Sequence, residues 1–137
     1  MTKTRTYAAA AGLVVAALAS EAVQSQGVTK TTILIGHSGP LSGANKEFGE
    51  DIRDGANALF NKLNAAGGIN GRKIQLATLD DANDAKRSGE NARILIEERR
   101  VLALFGYAIA TLNLPAFPFL EQHGAPCIAR FTFGLPW

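Results

Sequence analysis

The sequence is poor in the residues that build disulfides, metal centres and nucleophilic sites. Its 137 residues include one cysteine and two histidines. The cysteine, Cys127, cannot form an internal disulfide, and its apolar strand-like surroundings predict a buried, inert thiol. His37 and His123 have no Cys or Glu near them at the spacing of metal ligands. We therefore expect no metal centre and no cysteine or histidine catalysis.

The sequence also lacks an excess of charge and the motifs of common enzymes. Fourteen basic residues against 12 acidic ones give a net charge of +2, with no basic stripe, so we expect no nucleic-acid partner. No G-x-S-x-G elbow is present, and Ser38 has no obvious base. The sequence accordingly predicts a protein that is not an enzyme and that carries no cofactor.

No apolar run is long enough to span a membrane, which takes about 20 residues. Two basic residues precede an unbroken apolar run at 8–19, and a small-x-small site follows at 20–22. This order is typical of a secretory signal peptide. We predict a signal peptide over residues 1–26, with cleavage at about 22–26, and a folded part at 27–137 in the periplasm.

The part after the signal peptide alternates strand-like and helix-like segments. Strands are predicted at 33–35, 73–79, 101–105 and 126–129, and helices at 48–66, 85–98 and 112–123. This order predicts the α/β class, with a doubly wound parallel sheet. Ile52, Ala56, Leu59, Phe60 and Leu63 are expected on the inner face of the first helix. Pro118 should shorten or kink the third helix.

A glycine-rich loop, GHSGPLSG at residues 36–43, follows the first strand. It matches neither the dinucleotide fingerprint nor the Walker pattern. Pro40 also removes one backbone donor from any anion cradle. A loop that presents backbone N–H groups and Ser38 to a smaller polar ligand remains open.

Three aspartates lie just after the second strand: Asp80, Asp81 and Asp84. Clustered carboxylates are a pattern of Mg²⁺ and Ca²⁺ sites, but the EF-hand spacing is absent. We predict loop roles for the first two and a helix N-cap for Asp84. Because ligands on such sheets lie beyond the carboxyl ends of the strands, this loop belongs to the predicted ligand edge.

Several motifs together resemble one known family. They are GHSGPLSG at 36–43, FG at 48–49, NAAGGINGRK at 64–73, FGY at 105–107 and PFLEQHGAP at 118–126. The sequence resembles the N-terminal lobe of the leucine/isoleucine/valine-binding proteins, the periplasmic substrate-binding proteins of branched-chain amino-acid ABC transporters.

The resemblance implies a type I periplasmic-binding fold of two lobes that close over an amino acid or amide. It also implies an ABC permease in the inner membrane as a partner. By position in the motifs, Phe48 would cover the ligand side chain. Ala110, Thr111 and Thr132 would hold the α-carboxylate.

The apolar end of the sequence, 131–137, offers no closing helix, so we expect a truncated N-terminal lobe. The predicted function is that of a substrate-binding component of an importer for branched-chain or related amino acids. Alternatives are a ligand-sensing domain of the same fold, an inactive fragment, or an enzyme on a flavodoxin-like sheet. With one lobe, we expect weak amino-acid binding or none.

Overall fold

The computed structural model describes residues 26–107 and 113–129. The predicted signal peptide, apart from its last residue, lies outside the described residues. So do Ala110, Thr111 and Thr132. Their predicted roles therefore stay predictions.

Four strands and three α-helices alternate along the described chain. They are β1 (Thr32–Gly39), α1 (Lys46–Ala65), β2 (Lys73–Asp80), α2 (Ala85–Arg93), β3 (Ala103–Phe105), α3 (Phe117–His123) and β4 (Cys127–Ile128). A π-helical turn, Ile94–Glu98, continues α2, and a 3₁₀ turn, Leu114–Ala116, precedes α3.

All four strands form one parallel sheet in the order β2-β1-β3-β4. The register pairs Gly39 with Asp80 at the carboxyl end of β1 and β2, and His37 with Phe105 across β1 and β3. The strands that follow β1 in the sequence therefore lie on both sides of it. This arrangement confirms the predicted α/β fold with a doubly wound parallel sheet.

The two faces of the sheet bury separate hydrophobic clusters, because successive residues of β1 point to opposite sides. On one face, which we term the α1-side core, Ile35, Ile74 and Ala103 are buried. The other, the α2-side core, is larger and consists of Ala92, Leu95, Ile96, Val101, Leu104, Tyr107, Ala116 and Leu120. The sheet is therefore covered on both faces.

Of two detailed predictions for the helices, one is confirmed and the other is wrong. The helix containing Pro118 is shortened, as predicted: α3 begins at Phe117, so the proline lies in the first turn, where its missing N–H breaks no helical hydrogen bond. The prediction for Leu59 is wrong, because its side chain is 55% exposed. Among the described residues, no helix is long and apolar enough to cross a membrane.

Candidate functional site

Polar side chains gather at the carboxyl edge of the sheet, where β1 and β2 end side by side. Asp80, the last residue of β2, holds the loop that follows β1. Its Oδ1 accepts hydrogen bonds from the backbone N–H groups of Leu41 and Ala82, each at 2.8 Å, and its Oδ2 accepts from the Ser42 hydroxyl at 2.6 Å. One carboxylate therefore fixes the glycine-rich loop against the loop after β2.

The neighbouring Asp81 lies in a buried hydrogen-bond network. The Ser38 hydroxyl donates to Asp81 Oδ2 at 3.1 Å, and Asn91 Nδ2 of α2 donates to Ser38 Oγ at 3.0 Å. The backbone N–H of Asn83 donates to Asp81 Oδ1 at 2.9 Å. Because all of the side chains in this network are at least nine-tenths buried, it ties β1, the β2 loop and α2 together.

The pKa values of the two adjacent carboxyl groups, Asp80 and Asp81, are shifted in opposite directions. Burial raises the pKa of Asp81 above its ordinary value, and the hydrogen bonds from Asn83 and Ser38 only partly oppose it. Burial acts on Asp80 too, but the hydrogen bonds from Ser42, Leu41 and Ala82 outweigh it and lower the pKa. Asp80 therefore keeps its negative charge to a lower pH than Asp81 does.

His37 lies on the opposite face of β1, fully buried. Its Nδ1 lies 2.9 Å from the carbonyl oxygen of Phe105. Since a carbonyl only accepts, the proton belongs on Nδ1 and the lone pair on Nε2. Nε2 is buried with no hydrogen-bond partner in residues 26–107 or 113–129. Burial lowers the pKa of the imidazole, so the ring is neutral near pH 7.

Tyr107 follows β3 and is fully buried in the α2-side core. Burial raises the pKa of its phenol well above the ordinary value, and the nearby Ser38 hydroxyl opposes that shift only in part. Within the described part of the chain, its hydroxyl forms no hydrogen bond of normal geometry. Tyr107 is therefore a neutral, protonated phenol beside the Ser38 network.

A second buried pair joins α2 to the turn before α3. The Ser88 hydroxyl donates to Asn113 Oδ1 at 2.7 Å, and both side chains are buried. Ser88 is one helical turn from Asn91 on the same face of α2. One face of this helix therefore supports polar groups in both neighbouring segments.

Phe48 lies in the first turn of α1, with 40% of its surface exposed. The residue after it, Gly49, packs tightly on the loop, because a Cβ there would lie 1.9 Å from the Pro40 carbonyl oxygen. Any side chain at this position would push α1 away from the loop. The glycine therefore places Phe48 at the rim of the carboxyl edge.

The structure thus places the predicted site residues Ser38 and Phe48 at one edge of the sheet, in different settings. Ser38 is buried and its hydroxyl is engaged with Asp81 and Asn91, whereas Phe48 is at the surface. A ligand role for either residue stays a prediction. The predicted N-cap is confirmed, since Asp84 Oδ1 accepts from the Arg87 N–H at 2.7 Å.

Sequence reasoning missed the contributions of His37, Asn91 and Tyr107. The polar pair His37–Ser38, just before Gly39 at the end of a central strand, was the sequence signal available for His37. Nothing near Asn91 in the sequence marks it as a partner of Ser38. In the described ranges, no group of three or more His, Cys, Asp or Glu side chains is arranged to hold a metal ion. The chemistry available at this edge is hydrogen bonding and apolar contact.

Comparison with known proteins identifies the family. Residues 32–136 match the family model described as periplasmic binding protein. An amino acid binding protein of Pseudomonas aeruginosa is 37% identical over 92 residues, which are 67% of this chain and 25% of that protein. Leu/Ile/Val-binding protein homolog 2 of Brucella abortus is 31% identical over 77% of this chain and 28% of that protein.

Solved structures give the same result. The substrate-binding protein LivJ of a branched-chain amino acid transporter from Streptococcus pneumoniae, in complex with isoleucine, superposes with a TM-score of 0.71 and 26% identity. The match covers 76% of this chain and 30% of that one. The chain therefore spans between a quarter and a third of the length of the proteins it matches.

Proposed function

The chain belongs to the periplasmic binding protein family, and on that premise we propose that it forms part of the N-terminal lobe of a substrate-binding component. The substrate is a branched-chain or related amino acid or amide. The component works in the periplasm and delivers its substrate to an ABC permease in the inner membrane. A shared fold does not fix a ligand, so the proposal has to rest on the site.

The observation that carries the proposal is that a loop fixed by Asp80 and one exposed aromatic ring lie together at the carboxyl edge of the sheet. Asp80 fixes the loop after β1 through three hydrogen bonds. Phe48 lies beside that loop, held there by Gly49. Ligands of open parallel sheets bind at this edge. A rigid polar loop next to an aromatic ring suits a small molecule with one polar and one apolar end.

The family motifs imply a ligand that carries a carboxylate. We infer that Ala110, Thr111 and Thr132 supply the carboxylate contacts, as the family motifs imply, and that Phe48 packs on the ligand side chain. Asp80 already accepts three hydrogen bonds from the two loops. Its role is to hold the loop in place.

Binding by the 137 residues alone should be weak. In a two-lobed receptor the ligand is buried between the lobes, and the affinity depends on contacts from both. This chain covers 25% of the length of the Pseudomonas protein. One wall of the cleft leaves the ligand solvated on its other side. We therefore expect dissociation constants in the millimolar range.

The test is a titration of the ¹⁵N-labelled protein with leucine, isoleucine and valine, followed by amide chemical shifts. We expect saturable shifts at Phe48 and in the loop it adjoins, and their loss in Phe48→Ala. Leu59→Ala is the matched control, because it removes another exposed apolar side chain from the same helix. Absence of saturable shifts, or equal loss in both variants, would sink the proposal.

A further inference from the structure

The amino ends of the strands form a second polar region, on the side of the sheet opposite the candidate site. An open cavity of about 480 Å³ lies there, and we term it the amino-edge cavity. Its lining includes Gln26, Thr29, Gln75, Arg99 and Arg100. Within the described residues, no aspartate or glutamate lines it. Val28 and Leu34 also line it, so the cavity is partly apolar, and the charge of its lining is positive.

The two arginines of this cavity have no partner for their charge. In residues 26–107 and 113–129, neither guanidinium makes an ion pair or a side-chain hydrogen bond. The nearest carboxylates in sequence are engaged elsewhere: Glu97 lies 3.1 Å and Glu98 2.9 Å from the guanidinium of Arg93. Two exposed, uncompensated arginines thus border one cavity.

Capping of the helix end does not explain these arginines. Basic residues at a helix C-terminus commonly bond the last free carbonyls. Here the Ile94 carbonyl accepts from the Arg99 backbone N–H at 2.9 Å, and the Leu95 carbonyl accepts from the Val101 N–H at 3.1 Å. When the signal peptide is cleaved before Gln26, the Ile96 carbonyl accepts from Gln26 Nε2 at 2.8 Å. Within residues 26–107 and 113–129, the helix end therefore leaves both guanidinium groups free.

The backbone at Arg100 gives a second, independent reason. Its φ of +53° lies in the left-handed region, at the position after a helix end that glycine usually occupies. A side chain with a Cβ is strained there. Strain that persists in a fold is a reason to look for a function of the residue. Arg100 lines the cavity at a backbone position where glycine would give a more stable chain.

We propose that the amino-edge cavity binds a phosphate group, or an equally compact oxyanion, through the guanidinium groups of Arg99 and Arg100. Guanidinium groups suit this ligand because each presents two parallel N–H donors to two oxygens of the anion. The Gln75 side-chain amide supplies a neutral donor at the same rim. The ligand is either a soluble phosphate compound or the headgroup of an anionic lipid.

The first test is a titration of the ¹⁵N-labelled protein with inorganic phosphate, against sodium chloride at the same ionic strength. We expect saturable shifts around the cavity, and binding about tenfold weaker or more in the Arg99→Gln/Arg100→Gln variant. The Lys62→Gln/Lys86→Gln variant removes the same charge from exposed sites elsewhere and should bind as before. Equal weakening in both variants, or identical shifts with chloride, would overturn the proposal.

A second arm identifies the source of the phosphate. Vesicles of phosphatidylglycerol and of phosphatidylcholine are compared in a flotation assay. Binding to phosphatidylglycerol alone that is lost in the double arginine variant assigns the site to a lipid headgroup. Binding of free phosphate without flotation assigns it to a soluble compound. If the protein binds neither, the proposal fails.

The variant Arg100→Gly separates binding from a structural role. Glycine relieves the strain of the left-handed backbone, so the free protein should melt at a higher temperature than the wild type. Phosphate should nonetheless shift its melting temperature less. An arginine kept for the fold alone predicts the reverse: a lower melting temperature, with an unchanged phosphate effect. That result would contradict the assignment of Arg100.

Discussion

The two faces of the sheet differ in the size of their hydrophobic clusters and in the polar groups that follow those clusters at the carboxyl edge. The α2-side core buries eight residues and ends, toward the carboxyl edge, in the hydrogen-bonded network of Ser38, Asp81 and Asn91, beside the buried Tyr107 hydroxyl, which has no partner among the described residues. The α1-side core buries three residues and ends in His37, whose Nε2 has no partner in the described part of the chain. One strand, β1, supplies residues to both.

The difference teaches where the rigidity of the candidate site comes from. On the α2 side, packing and hydrogen bonds continue from the core to the loops, so the Ser38 network is held by a fully buried layer. On the α1 side, the first turn of α1 rests on close backbone contact at Gly49 and leaves Phe48 exposed. The buried polar network of the site therefore comes from one face, and its exposed aromatic ring comes from the other.

The largest expected effect is the loss of a core side chain on the α2 side. Leu104 is fully buried there, so Leu104→Ala should lower the free energy of unfolding by about 3–5 kcal/mol. The matched change on the other face, Ile35→Ala, should cost about 2–3 kcal/mol, because the smaller cluster relaxes more easily around the cavity. Urea denaturation of both variants measures the pair. An equal or reversed ranking would break the comparison.

The next effect comes from the hydroxyl that joins the buried network. Ser38→Ala leaves Asp81 Oδ2 without its donor and the Asn91 amide without an acceptor, both in the interior, and should cost about 2 kcal/mol. Ser42→Ala, the control, removes a hydroxyl donor from Asp80 in a partly solvated loop and should cost about 1 kcal/mol or less. If Ser42→Ala costs more, the buried network is not what fixes the loops.

A fall in pH should lower the free energy of unfolding through His37 on one face of the sheet and raise it through Asp81 on the other. The pKa of His37 is lowered from 6.5, so below pH 6.5 the unfolded chain takes up a proton that the folded protein refuses. Stability must then fall as the pH decreases from 6.5 towards the lowered pKa. The slope cannot exceed about 1.4 kcal/mol per pH unit for one proton.

The carboxyl on the other face opposes this loss. The pKa of Asp81 is raised above 3.8, so the folded protein protonates first and gains stability as the pH falls from the raised pKa towards 3.8. Denaturation at a series of pH values should therefore show a flatter slope in His37→Gln and a steeper loss in Asp81→Asn. The groups acting on His37 are the Phe105 carbonyl, Asp81 and Arg53. An unchanged profile in His37→Gln would contradict the assignment.

Sequence reasoning recovers the fold better than the site, for a physical reason. Apolar periodicity and glycine positions are local, so the order of strands and helices, the Asp84 cap and the effect of Pro118 were predictable. The partnership of Ser38 with Asn91 joins residues 53 positions apart, and no local pattern encodes it. The π-helical turn at Ile94–Glu98 was equally hidden, because its apolar pattern fits an α-helix.

The smallest expected effect tests the one apolar residue of α1 that the periodic pattern misplaced. Leu59 shares helical spacing with Ala56 and Leu63, yet it is 55% exposed because the α1-side core extends over only part of the helix. Leu59→Gln should therefore change the free energy of unfolding by no more than about 0.5 kcal/mol. Phe60→Ala, one residue on and packed against the α1-side core, should cost several times as much. A Leu59→Gln loss as large as that of Phe60→Ala, seen in the same urea titrations, would mean that this face of the helix is covered in the folded protein.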